Sequence, residues 1–298
     1  MKNKEPRICV ILLTHNDSKR AIEVVTQLKN QTFSEFSVLV IDDNSSYQEL
    51  QLLETIKCDN VQIHSLPSPY KFGFDFKWNI ALKLAFSMNP KYIYYIHTDM
   101  KINNVQLLEC LYNEMEKEPK LGGVGPTIYN KDGIKSWGED ITKIRMGKKY
   151  ILNETFMIRT KCYKQMGLIP EKLIYYGNEF FTFNWLRDND YLVKVMNNVS
   201  VTHFAGTGVS ISFQNEKDYY RPRTSILIMK LFCKEDSLIQ KMRYFNSEIN
   251  EPKIKIKKNL RKYKFLKVFK TLFFLFIGTL AGLFIQIKLN PPIKSDSY

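Results

Sequence analysis

The sequence predicts an α/β fold built on a doubly wound, mostly parallel sheet flanked by helices. Three observations predict it. Four short runs rich in β-branched and aromatic residues, at 8–13, 37–41, 61–66 and 92–96, recur at a spacing of roughly 25 to 30 residues. Stretches of helical periodicity separate them. Three of the four runs then end in polar groups: Thr14-His15-Asn16-Asp17, Asp42-Asp43-Asn44-Ser45 and His97-Thr98-Asp99. Alternating strands and helices with short connections make βαβ units with right-handed crossovers. In such sheets ligands bind beyond the carboxyl ends of the strands, where these polar groups lie.

Taken in order, the first run, ICVILL, passes into THND, where Asp17 and Ser18 suit the N-terminus of a helix. Ala21, Val24, Val25 and Leu28 then recur at helical spacing. The second run ends in Asp42-Asp43, and Leu50, Leu53 and Ile56 mark the next helix. After the third run, Ile80, Leu84 and Met88 trace a third helix leading into YIYYI and His97-Thr98-Asp99. Any one of these strand ends alone reads as a turn. Three converging on one sheet edge read as a site. The glycine-rich dinucleotide fingerprint and the Walker A loop are both missing after the first strand. Phosphates bound here need a metal or basic side chains instead.

Composition sets the surroundings. The formal charge is +14, and residues 251–298 hold eleven Lys/Arg against two acids, so about two-thirds of the excess lies in the last sixth of the chain. That is a basic tail, not a nucleic-acid-binding body, and no zinc-finger, RNA-recognition or helix-turn-helix pattern is present. Cys9, Cys58, Cys110, Cys162 and Cys233 are widely spaced without a C-x-x-C pair, which fits a reducing compartment and no zinc site. The run at 8–13 is too short for a secretory signal. Residues 271–287, TLFFLFIGTLAGLFIQI, carry no charge over 17 positions, near the lower limit for crossing a bilayer. With a basic flank before it, this segment predicts attachment to a membrane.

The motifs together resemble those of the family-2 glycosyltransferases of GT-A fold. ICVILLTHN, QTFSEFSVLVIDDNSS, KFGFDFKWN and HTD carry the resemblance, which extends from about residue 8 to 232. It implies a nucleotide-sugar donor and inversion at the anomeric carbon. It places His15 near the base, Asp43 on the nucleobase with Asp42 beside it, and Lys71 and Lys77 near the phosphates. HTD stands where the family has D-x-D, so Asp99 matches the metal-binding acid and His97 replaces the acid that contacts ribose. Carboxylates suit Mg²⁺ or Mn²⁺, and manganese also accepts imidazole. SWG at 136–138 and FMIRTKCYKQMGLIPE at 156–171 resemble the segments that precede the catalytic acid. In the family an acidic pair lies a set distance before the next strand; counted back from Tyr191, the resemblance implies Glu179 of GNEFF as the general base, with Asn178 replacing its acidic neighbour. His203 matches a strand-end histidine that reaches the metal or diphosphate, and Arg221 and Arg223 a segment that meets the phosphates of a lipid-linked acceptor.

On this reading the chain divides into a nucleotide-sugar half (1–103), an acceptor half with the base (104–215), a basic connection (216–262) and a membrane helix (263–289). Gly278 and Gly282 on one helix face are a weak signal for a homodimer. The expected activity is sugar transfer from a UDP- or dTDP-sugar to a saccharide or polyprenyl-linked acceptor. Its expected place is the cytoplasmic face of the cell membrane, in bacterial surface polysaccharide synthesis. Two rivals remain. A sugar-nucleotide pyrophosphorylase needs a G-x-G-T-R loop, where this chain has THNDSKR. A degenerate relative that binds an assembly partner without turnover is favoured only by the acids lost from HTD and from Asn178-Glu179.

Overall fold

The structure, a computed structural model, describes residues 5–66, 73–138, 144–145, 148–149, 155–174, 178–204, 213–232, 241–242, 245–246, 250–261, 265–288 and 290–293. The first four strands are β1 (Ile8–Thr14), β2 (Phe36–Asp42), β3 (Val61–Ser65) and β4 (Tyr92–Ile96). They alternate with α1 (Ser18–Lys29), α2 (Tyr47–Glu54) and α3 (Gly73–Ser87). All four strands are parallel, in the order β3-β2-β1-β4. Their near-continuous apolar runs are what a sheet covered on both faces requires. The chain moves outward from β1 to β3, then jumps back past β1 to β4. Right-handed crossovers therefore put α1 and α2 on one face and α3 on the other. The reversal leaves a crevice beyond the ends of β1 and β4.

The second half of the chain continues the same sheet. It adds β5 (Met100–Ile102), α4 (Leu107–Lys117), β6 (Leu121–Asn130), β7 (Lys135–Trp137), a two-stranded ribbon of β8 (Ile144–Arg145) and β9 (Lys148–Lys149), and β10 (Thr155–Arg159). Then come α5 (Thr160–Met166), a 3₁₀ turn at Glu171–Leu173, α6 (Asn178–Asp188) and β11 (Leu192–His203). Among the described residues, nine strands share one sheet, in the order β3-β2-β1-β4-β10-β6-β11-β5 with β7 on β6. β10 is antiparallel to both β4 and β6, and β5 is antiparallel to β11. The two expected halves thus interleave.

The core is one cluster, and its aromatic part lies behind the crevice. Trp78 of α3, 1% exposed, packs edge-on against Tyr95 of β4, Phe156 of β10 and Tyr163 of α5 at centroid distances of 4.8, 6.4 and 6.1 Å. Such pairs contribute about 0.5–1.5 kcal/mol each beyond their burial. The helix buries a different face from the expected one. Ile80, Leu84 and Met88 are half-buried, whereas Trp78, Ala81, Leu82, Ala85 and Phe86 point inward. Tryptophan and phenylalanine offer more area to bury, and they set the rotation of the helix.

Two residues clasp α3 to the segment after α5. Gly73 has φ +77°, and a Cβ there would meet the carbonyl oxygen of Ile174 at 2.5 Å. Asn79, buried, donates to the Ile169 carbonyl at 2.8 Å and accepts from the Ile169 N–H at 3.0 Å. The matching Gly and Asn of KFGFDFKWN are therefore structural.

Among the described residues, three longer helices follow, α7 (Phe213–Phe232), α8 (Asn250–Arg261) and α9 (Phe265–Phe284). α7 is fixed to the domain by Arg223, which donates to the carbonyls of Lys172 and Leu173, and by the Thr224 hydroxyl on Leu173. α9 lies along α7 with Gly278 over the backbone of Tyr219 and Gly282 over that of Arg223. The glycine face read as a dimer signal thus meets a helix of the same chain. Among the described residues, α9 is the one helix long and apolar enough to cross a membrane, by length and composition.

Candidate active site

The polar strand ends do converge. His15, just past β1, bonds through Nδ1 with the Asp43 carbonyl at 2.7 Å, and the Asp43 N–H donates to the Thr14 carbonyl at 2.8 Å. Asn16, with φ +49°, accepts from the Ser46 N–H and receives support from Ser45, so the two turns lock together. Asp42 is 1% exposed, and its carboxylate accepts from the Ser45 hydroxyl and N–H. It therefore holds the turn that presents Asp43.

Asp43 is ion-paired with Lys77 of α3. Lys77 thus stands at the acid assigned to the nucleobase. Lys71 lies outside the described residues. Arg223 also departs from expectation: it is 4% exposed and spends its guanidinium on backbone carbonyls. Asp17 stands at the N-cap of α1 without a side-chain capping bond. Its carboxylate accepts from Arg20 at 2.7 Å and from the Thr98 hydroxyl at 2.7 Å, tying the end of β1 to His97-Thr98-Asp99 across the crevice. The Ser18 N–H is met instead by Glu49 of α2 at 2.9 Å, which holds the Glu49 carboxyl below its usual range.

Three side chains gather at the end of β4. The register of β11 against β5 sets His203 opposite Met100, and the Phe204 N–H donates to the Asp99 carbonyl at 2.9 Å. His203 Nε2 consequently lies 3.1 Å from Asp99 Oδ2, and His97 Nδ1 3.7 Å from Asp99 Oδ1. One ligand atom from each of His97, Asp99 and His203 falls within 4.8 Å of the others.

Burial draws the His97 pKa down to about 4, against a raising effect of Asp99, so the ring is neutral at pH 7. Its approach to Asp99 is therefore not an ion pair. Burial pushes the Asp99 carboxyl up, but the His203 hydrogen bond and nearby His97 and Arg20 more than offset it, leaving an anion. His97 Nε2 and Asp99 Oδ1 are buried without a hydrogen-bond partner among the described residues. Such orphaned groups are costly unless a ligand satisfies them. Two imidazoles and one carboxylate form a donor set suited to a divalent cation.

Glu179 lies in the first turn of α6, partly exposed. Its charge is felt by Asp75 of α3, an acid that the sequence reading passed over. Asp75 is fully buried, with both carboxylate oxygens unpartnered among the described residues. Burial first, and Glu179 second, raise its pKa well above the usual carboxylate range, with Arg223 opposing. α3 thus sends Lys77 towards Asp43 and Asp75 towards Glu179. The signal in the sequence was an acid amid FGFDFKW, with aromatic neighbours on both sides.

Comparison with known proteins decides the family. The profile of glycosyl transferase family 2 matches residues 9–176. The chain belongs to that family. The match takes in the crevice residues up to Asp99 and stops short of Glu179 and His203.

Among relatives, an uncharacterized glycosyltransferase of Haemophilus influenzae is 26% identical over 188 residues, 59% of this chain and 58% of that one. The poly(ribitol-phosphate) β-N-acetylglucosaminyltransferase TarS of Staphylococcus aureus is 25% identical over 227 residues, 72% of this chain and 39% of TarS. The chain thus spans less than two-thirds of either relative. Among solved structures, TarS residues 1–349 in complex with UDP-GlcNAc aligns with a TM-score of 0.63 at 21% identity, covering 75% of this chain and 66% of that one. The mannosyltransferase PcManGT of Pyrobaculum calidifontis, in complex with GDP-Man and Mn²⁺, aligns with a TM-score of 0.63 at 12% identity, over 95% and 88%. The fold of this family member is GT-A.

Proposed function

We propose that the protein transfers a sugar from a nucleoside diphosphate donor to a hydroxyl of a saccharide or lipid-linked saccharide, with inversion, using a divalent cation. The observation that carries this reading is the cluster of His97, Asp99 and His203 at the mouth of the crevice. A cation bound there supplies positive charge against the diphosphate leaving group. The chain's own residues do the rest. Asp99 and the two imidazoles hold the cation, and His15 and Asp43 line the end of the crevice that receives the nucleobase. Lys77 has to leave Asp43 before it can meet a phosphate.

Glu179 takes the proton from the acceptor hydroxyl as that oxygen attacks the anomeric carbon from the face opposite the diphosphate. The UDP-GlcNAc complex of the similar TarS supports a UDP-sugar as donor, with a dTDP-sugar next. The tail supports action at the cytoplasmic face of the membrane, in surface polysaccharide synthesis.

The test is calorimetry with a panel of nucleoside diphosphates and their sugars, with and without Mn²⁺. Binding of one nucleotide, present only with the cation, is the expected result. No cation-dependent binding of any nucleotide rejects the reading. Binding without hydrolysis or transfer to any acceptor leaves the degenerate relative.

A further inference from the structure

Helix α9 has two faces with opposite needs. One, with Val268, Thr271, Gly278 and Gly282, is buried against the body of the protein. The other carries Phe269, Leu272, Phe273, Phe276, Leu280 and Leu283, each between 36% and 67% exposed. At 3.6 residues per turn these six fall within an arc of about 100°, a continuous apolar stripe. A stripe of this kind marks a membrane or protein contact.

Both ends of the helix are tied to other parts of the protein. Past Phe284 the chain turns back onto the catalytic domain. Lys172 Nζ donates to the Gln286 carbonyl at 2.9 Å, Asn290 to the Leu168 carbonyl at 2.8 Å, and the Ile293 N–H to the Lys164 carbonyl at 2.8 Å. Lys230 of α7 donates to the carbonyls of Gly282, Leu283 and Ile285, closing the last turn. At the other end, α8 packs on α9 and carries the exposed Lys253 and Lys257. Lys267 and Lys270 are exposed near the start of α9 itself.

We propose that α9 does not cross the bilayer but lies in the plane of an anionic membrane surface. Its Phe/Leu stripe enters the acyl boundary and the lysines of α8 and α9 meet lipid phosphates. A crossing helix delivers its far end beyond about 30 Å of hydrocarbon, whereas residues 285–293 are bonded to the domain that holds the active site. An apolar face flanked by lysines is the pattern of an interfacial helix, and the positive charge selects anionic lipid over a second, equally positive copy of this chain. The inference rests on the membrane attachment proposed above and adds its geometry.

The experiment uses the full chain. Co-sedimentation with phosphatidylglycerol-containing vesicles should be strong, weakened by salt, and weak with phosphatidylcholine alone. Phe269→Glu/Phe276→Glu should lower vesicle binding at least tenfold without changing the melting temperature, because both side chains are exposed. In sealed membrane vesicles of known orientation, Ser297→Cys should react with an impermeant maleimide from the same side as the exposed Cys58. Labelling from the opposite side only overturns the in-plane arrangement and leaves attachment standing. Failure to bind any vesicle sinks both. A dimer in solution that the double substitution dissociates, without vesicle binding, assigns the stripe to a second copy and overturns the proposal.

Discussion

Asp99 divides its carboxyl group between two partners. Oδ2 is bonded with His203 and Oδ1 is left buried beside His97. Asn in its place keeps the size and removes the anion that a divalent cation needs. Asp99→Asn should therefore abolish cation-dependent nucleotide binding by calorimetry, while His97→Ala weakens it less. Glu179→Gln should leave donor binding intact and slow transfer by about 10²–10⁴-fold, the range for loss of a general base. Near-wild-type turnover would move the base to Asp188 or Asp190.

Asp75 gives a prediction about pH. Its folded pKa is raised, by burial first, so the native state keeps its proton where the unfolded chain, near pKa 3.9, has lost it. Stability must then fall as pH rises from about 4 towards the folded pKa. Asp75→Asn does not titrate. Its stability relative to the parent, by denaturant melts, should improve as pH rises above about 4. A difference independent of pH would mean that Asp75 is ionised in the fold. Residues such as Asp75 are hard to read in a sequence, because only the helix rotation set by Trp78 decides that an acid faces inward.

Among the elements, β1 to β4 were legible to within a residue or so, since apolar β-branched runs bounded by turns leave few alternatives. β6 was not. Its sequence, LGGVGPTIYN, contains residues that disfavour strands, and it is held in the sheet by β10 and β11 on either side. The short β5 was missed as well, and with it the pairing that sets His203 beside Asp99. A resemblance, not a spacing, brought His203 into the site. Two elements can be tested directly. Asn79→Ala removes both buried bonds to Ile169 and should cost about 1–3 kcal/mol in chemical denaturation, through the unpaired backbone groups left behind. Gly278→Val would press against the Tyr219 carbonyl, where even a Cβ has only 2.1 Å. Overpacking of this kind costs about 1–3 kcal/mol, and here it should first appear as proteolysis between α8 and α9.

The whole molecule carries its charge asymmetrically, and this was legible from the start. How the basic tail sits was not, because composition cannot tell a helix that crosses a membrane from one that lies on it. Deleting residues 265–298 should release the protein from membranes, but the structure adds a cost. Ile285, Ile287 and Ile293 pack on the core, and α7 loses the helix that covers Tyr219 and Arg223. The truncated chain should melt lower than the parent, and truncation at 294, which keeps these contacts, should not.

The pairing of β5 with β11 has one more consequence, for the order in which the protein matures. His203 and Asp99 are 104 residues apart in the chain and meet only when the last strand has docked. Contacts so distant along the chain form late, after much of a loop's entropy has been surrendered. A nascent chain stalled before β11 emerges from the ribosome could already hold its four parallel strands and the turn around Asp43. It would still lack one of the three proposed cation ligands. Tight manganese uptake by stalled chains of increasing length should therefore appear only after residue 203 has cleared the exit tunnel. On the proposed function, taking up the ion marks the docking of the last strand of the sheet.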